Sequence, residues 1–323
     1  MNQKHFFGPV KYHRKFNNPF ESEDILEQLK QFLKSAEIWD RKYLSAAKEA
    51  ITALSPTEEI AERRIRKYLS EDRLEKLNLA NSYSRALFRH HLLLAASELE
   101  NDLYQAGRVV MMATFVDQSW AFPDHEIEFD FKAAKHKIRN AFAGMDYIGA
   151  FEPAVYPDEV LTTESGTGSL VSFHAHVIVW STSESKLRRH KLKIAKRFTP
   201  LVGDEGLSFP RLDNLKTIPE FRKSLRYASK MPVDGYERVE ENDEISQRHA
   251  NLENVHYYRL TGFLHHHTIF EAWFAGGEGS QILKSAKTLS IEAAKAQSKS
   301  LSDGLGAFNS VRIRDRRRWP NRY

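Results

Sequence analysis

The chain has 323 residues, 41% of them hydrophobic and 28% charged, which excludes a disordered polymer and suits a core domain with additions. It has no cysteine, so disulfide scaffolds, cysteine–zinc sites, iron–sulfur clusters and thiol nucleophiles are excluded together. The formal charge of +5 is concentrated: six arginines and one aspartate between Asn309 and Tyr323 account for all of it. No apolar run approaches the ~18 residues of a membrane span, and the first residues lack the apolar stretch of a secretory signal. A cytoplasmic protein with no membrane partner is expected.

Helical spacing dominates residues 21 to 105, from Ile25, Leu29 and Phe32 to a last helix over Ser82–Tyr104 carrying Leu87, Leu92, Leu99 and Leu103. After Gly107 the period changes. Val109–Val116 is β-rich and apolar, Asp130–Phe142 is an amphipathic helix, and Tyr147–Val155 and Leu170–Trp180 are two further strands. Ser183–Phe198 is a basic helix, a short strand falls within Leu207–Leu215, and Thr217-Ile-Pro-Glu220 is a capping box that opens a helix ending at Met231-Pro232. Asp234–Asn251 is expected as acidic loop, and helix returns between Leu252 and Leu301. The order β-α-β-β-α-β predicts an α+β fold with a ferredoxin-like, split βαβ antiparallel sheet. The expected segments are a helical region over 1–106, a central domain over 107–232, and a helical region over 233–323 that ends in the arginine-rich tail.

The third strand carries the strongest chemical signal. Alternation puts Val171, Phe173, Ala175, Val177 and Val179 on one apolar face, and Ser172, His174, His176, Ile178 and Trp180 on the other. Two imidazoles at i and i+2 on one side of a strand are close enough to share a metal ion. Glu152 falls on a strand expected to pair with the histidine strand, and an acid in apolar surroundings needs a partner, which a divalent cation would supply. On the helix after the capping box, Lys223, Tyr227 and Lys230 recur at i, i+4 and i+7. That places a phenol between two ammonium groups that can meet a phosphate.

Three pieces together carry a resemblance: Ala113-Thr114-Phe115, Phe173-His-Ala-His-Val-Ile-Val179, and Leu225-Arg-Tyr-Ala-Ser-Lys230. In order and placement they resemble the HUH endonucleases, and within them the rolling-circle replication initiator (Rep) proteins of plasmids and phages, over Arg108–Met231. The resemblance implies His174 and His176 as ligands of a divalent metal (Mg²⁺ or Mn²⁺), Glu152 as the third ligand by position, Tyr227 as nucleophile, and Lys230 as support for the scissile phosphate or the tyrosine. Ser224 and Met231 stand where a second tyrosine would be, so the single-tyrosine type is implied. The implied activity is nicking of single-stranded origin DNA, giving a 5′-phosphotyrosyl link and a free 3′-OH, with host polymerase and helicase as partners. An HUH transposase or a mobilisation relaxase is the nearest alternative, and a non-catalytic nucleic-acid-binding regulator on the same fold is the alternative of another class.

Basic residues supply the expected DNA contacts: Lys223 and Arg226 beside the tyrosine, Arg188 and Arg189 in the acid-free cluster Lys186–Arg197, and Arg316, Arg317 and Arg318 in the tail. His265-His266-His267 lies on expected helix, where neighbours point about 100° apart and cannot easily share an ion. His90-His91 is expected to be structural. Gly276-Gly-Glu-Gly279 is expected to be a flexible turn, lacking the Lys-Ser/Thr of a phosphate-binding loop.

Overall fold

The computed structural model describes residues 77–157, 169–181, 183–195, 197–199, 211–230, 235–241 and 244–295. The helices expected before Leu77 lie outside those residues, as do Arg316, Arg317, Arg318 and the rest of the tail. Helix α1 (Ser82–Gln105) starts at Asn81, whose side chain accepts the Ser84 N–H. Then follow β1 (Val109–Pro123), α2 (Phe131–Ala141), β2 (Asp146–Tyr156), β3 (Leu170–Ser181), α3 (Glu184–Ala195), β4 (Arg211–Leu215) and α4 (Ile218–Ala228). The chain continues through β5 (Gly235–Glu241), β6 (Glu244–Ala250), α5 (Asn254–Leu264), the short α6 (Ile269–Ala272), β7 (Trp273–Gly276) and a helix α7 over 279–295. No helix among the described residues is long and apolar enough to cross a membrane.

The fold is mixed α+β around one seven-stranded sheet. Strands β4, β1, β3 and β2 lie side by side in that order, each antiparallel to its neighbour. The outer edge of β2 is divided: β7 pairs with it antiparallel at Tyr147–Ala150, and β5 meets it parallel at Val155, which makes the sheet mixed. Gly149 permits the first contact, because a Cβ there would lie 2.7 Å from the Phe274 ring.

Two expectations are corrected. Asp234–Asn251 contains the hairpin β5–β6 rather than loop, and β7 interrupts the helical region after Leu252. The hairpin sequence is rich in charge and lacks strict apolar alternation, so its strand period is masked. β1 also runs on to Pro123. A bulge between Val116 and Ala121 re-registers it on β3, and Asp117 pins that bulge by accepting from the Ser119 N–H, the Thr199 N–H and the Lys137 ammonium.

Helix α2 packs Phe131, Ala134, Ile138 and Ala141 against the sheet face expected to be apolar. There Val171, Phe173, Ala175, Val177 and Val179 are all at most 1% exposed. Phe129 stacks on Phe173 at 3.9 Å, with Phe115–Phe142 and Trp120–Phe151 packed edge-to-face nearby. The opposite face is covered by α4, with α1 laid over α4. Glu100 and Arg222 tie those two helices together through a two-toothed ion pair in which the carboxylate is buried. The main hydrophobic cluster among the described residues runs from Leu77 to Ala294 through α1, the sheet and α7.

Candidate active site

Strand register assembles the site. On the face under α4, Glu152 is directly opposite His174, and Thr114 and Ala150 flank His176. The face is not open to solvent as a lone alternating strand would suggest: His176 is 2% exposed and His174 half-buried. The His176 Nδ1 hydrogen-bonds with the Thr114 hydroxyl at 3.1 Å, which turns Nε2 toward Glu152 Oε2, 3.0 Å away. The His174 ring is 6.3 Å from that of His176, and its Nε2 is buried without a hydrogen-bond partner. Burial first, then the neighbouring His176 and Lys230, push His174 down to about 3. It is therefore a neutral imidazole at ordinary pH, which is the form that ligates metals.

Helix α4 delivers the tyrosine. The capping box is present as expected: the Thr217 hydroxyl accepts the Glu220 N–H, and the Glu220 carboxylate accepts the Thr217 N–H. Phe221, Ser224, Leu225 and Ala228 face inward, leaving Tyr227 43% exposed with its ring edge-on to His176 at 4.8 Å. Lys230 departs from the expected helical stripe. The helix stops at Ala228, so Lys230 lies beyond the cap and folds back. Its ammonium is 4.4 Å from the centre of the Tyr227 ring and 3.0 Å from Glu152 Oε1. Glu152 thus links both imidazole and lysine, and through them touches the tyrosine.

Other cations complete the surround. Arg85 of α1 donates to the Leu79 and Lys230 carbonyls, and burial, opposed by the charge of Glu152, brings it down to about 10. Arg89, one turn on, is also held at about 10 by burial and by repulsion from Arg226. Neither arginine was anticipated. The readable signal is Arg85 and Arg89 at i and i+4 on a helix otherwise rich in leucine and alanine. A cavity of about 10 Å³, room for about one water, is lined by Arg85, Glu152 and Lys230 among others.

Two imidazoles and a carboxylate are a fitting donor set for a divalent cation, and the orphaned His174 Nε2 fits the same purpose. The carboxylate is nevertheless turned to Lys230, and among the described residues no three histidine or carboxylate groups stand in ligating geometry.

The remaining sequence candidates are dispersed. Lys223 is exposed on α4 near the tyrosine. Arg188 and Arg189 are exposed on α3, which packs across the sheet through His190 and Phe142, and Arg188 pairs with Glu184 at 2.6 Å. His265, His266 and His267 lie in a turn after α5 rather than on a helix, and His267 bonds Glu271 at 3.2 Å. His91 is bonded to Ser290, consistent with a structural part. Gly276–Gly279 is pinned rather than loose, because Glu278 accepts from Arg108 and from the Trp180 indole. Comparisons with protein-family models, curated proteins and solved structures find no match to this chain.

Proposed function

We propose that the protein is a site-specific single-strand DNA endonuclease and strand transferase of the single-tyrosine HUH type, acting as a replication initiator on origin DNA. The observation that carries this reading is the contact set Tyr227–His176–Glu152–Lys230, which joins a solvent-accessible phenol to a buried imidazole and carboxylate within one face of the sheet. The antiparallel order β4-β1-β3-β2, with α2 and α3 in the two crossovers, supports the ferredoxin-like core that such enzymes need.

In the proposed reaction the Tyr227 oxygen attacks phosphorus in line, its proton passing to solvent. The bond from phosphorus to the 3′-oxygen breaks, and that oxygen leaves as a 3′-OH after taking up a proton. The 5′-phosphate stays on Tyr227, so a later 3′-OH can reverse the exchange and close the strand. Lys230 holds positive charge beside the phenol where negative charge passes during attack. Arg85, Arg89 and Arg226 hold a positive field around the strand. A divalent cation held by His174, His176 and Glu152 would polarise the scissile phosphate, the mixed imidazole and carboxylate set suiting Mn²⁺ better than Mg²⁺. Host polymerase would extend the released 3′-OH while host helicase opens the duplex.

The rival reading, a non-catalytic DNA-binding regulator, draws on the Lys230–Glu152 ion pair, which satisfies the carboxylate without a metal. Incubation with single-stranded DNA and Mn²⁺ separates the two. The nuclease gives a covalent adduct whose nucleotide maps to the Tyr227 peptide, and Tyr227→Phe binds DNA without forming it. Binding with no adduct on any single-stranded substrate and any divalent ion would establish the regulator instead.

A further inference from the structure

Across the sheet from Tyr227, a cleft of about 670 Å³ opens along α2, lined among others by Phe129, Lys132, Lys135, Arg139, His267 and Glu271. A second lobe of about 250 Å³ adjoins it through Lys135 and Arg139 and extends to Trp273 and Lys287. The carboxylates here are already engaged. Asp130 caps α2 by accepting the Lys132 and Ala133 N–H groups, and Glu271 caps α6 by accepting from Thr268. The cations are not: Lys132, Arg139 and Lys287 are exposed, and none forms an ion pair among the described residues. The Lys135 ammonium is tethered at the centre to the Phe270 carbonyl, 2.8 Å away. Burial, opposed by Glu271 but reinforced by Lys287 and Arg139, brings it down to about 8, so an arriving anion would relieve a real electrostatic cost.

The arrangement is linear. Lys132, Lys135 and Arg139 sit at i, i+3 and i+7 on one face of α2, spanning about 10 Å of helix axis, and Lys287 continues the row in the second lobe. A lone phosphate would use only part of such a row. Half-buried Phe270, with the Lys287 ammonium 4.9 Å from its ring, adds the aromatic component that single-stranded polynucleotide sites combine with basic grooves. The basic helix α3 lies on the same side of the sheet.

We infer that this cleft grips the phosphodiester backbone of a single-stranded nucleic acid through Lys132, Lys135, Arg139 and Lys287. It is a second contact surface, and it does not require cleavage at Tyr227.

The test uses the full chain carrying Tyr227→Phe, so that cleavage plays no part, and follows the anisotropy of a fluorescein-labelled oligothymidylate over a salt series. Lys132→Gln with Arg139→Gln changes two exposed, unpaired side chains and leaves the Lys135 tether in place. It should weaken binding about tenfold at low salt and lower the slope of log K against log salt by about 1.4. The matched control, Lys216→Gln with Lys295→Gln, removes the same charge from exposed positions outside the cleft and should leave the slope close to that of the parent. An unchanged slope in the cleft variant, or an equal fall in the control, overturns the inference. So does pyrophosphate binding the parent as tightly as the oligonucleotide, which would make this a small-anion site. Because the readout is binding alone, absence of nicking by the wild-type protein would count against the nuclease reading and not against the cleft.

Discussion

The two faces of the central sheet differ in what their side chains ask of their neighbours. The face under α2 is dry and aromatic, and Phe173 meets rings from the chain on several sides. Apart from Asp117, which the Lys137 ammonium of α2 answers, packing fixes it. The face under α4 holds Glu152 and His176, whose burial is tolerable because Lys230, Thr114 and Arg85 answer them, and His174, whose Nε2 is left without a partner. One strand, β3, serves both faces through its alternation. The comparison teaches that rigidity is supplied from one side and polar tension is held on the other.

Four measurements can break or sharpen that contrast. Phe173→Ala should cost the most stability, about 3–5 kcal/mol in denaturant unfolding, because a fully buried ring leaves a cavity. A loss below about 1 kcal/mol would mean the dry face is not the rigid one. Next, Arg222→Ala strands the buried Glu100 carboxylate and should cost about 3 kcal/mol while loosening α4 from α1. Lower DNA-adduct yield at undiminished DNA affinity would confirm that α4 positions Tyr227, and an unchanged unfolding midpoint would remove the clamp from the account.

The third measurement is a pH series. Burial first, and then His90, bring His91 down to about 4, below its unfolded value near 6.5. The unfolded chain binds that proton more readily, so stability is full above about pH 6.5 and is lost as pH falls toward 4. The loss is on the order of 2–3 kcal/mol. His91→Gln, which has no such proton to gain, should flatten that part of the profile; an equally steep fall in the variant would place the sensitive group elsewhere. Smallest in stability is Tyr227→Phe. The ring is partly exposed and its packing survives, so the change should stay within about 0.5 kcal/mol while adduct formation disappears. A large destabilisation would mean that the hydroxyl serves the fold rather than the chemistry.

Much of this arrangement is legible in the amino-acid sequence, for identifiable reasons. The alternation in β3 is strict, so both of its faces can be assigned, and Thr217-Ile-Pro-Glu220 declares its helix start. Glu152 can be matched to the histidine strand because β2 and β3 are sequential and antiparallel. What escapes is set by distant contacts. Lys230 continues a helical count on paper, but the chain leaves the helix at Ser229 and the ammonium turns to Glu152. Arg85 reaches the site only because α1 packs over α4, which no local pattern states. β7 is four residues long, too short to show a period, although Thr268-Ile-Phe-Glu271 just before it is a readable capping box.

The connection between the two ends of the described chain has a consequence for how the protein comes into being. Leu79 donates its N–H to the His267 carbonyl, Ile269 donates to that of Leu77, and the Asn78 amide donates to that of His265. These bonds join positions nearly two hundred residues apart, and such closures come late, after shorter loops have formed. On the ribosome, β1 to β3 can pair while the segment after Leu264 is still unmade. The Leu77–Leu79 segment, whose last carbonyl accepts from Arg85, is then not yet tied down, and β7 is missing from the edge of β2. The protein therefore acquires most of its sheet before the segment that fastens the start of α1 and closes the edge of β2.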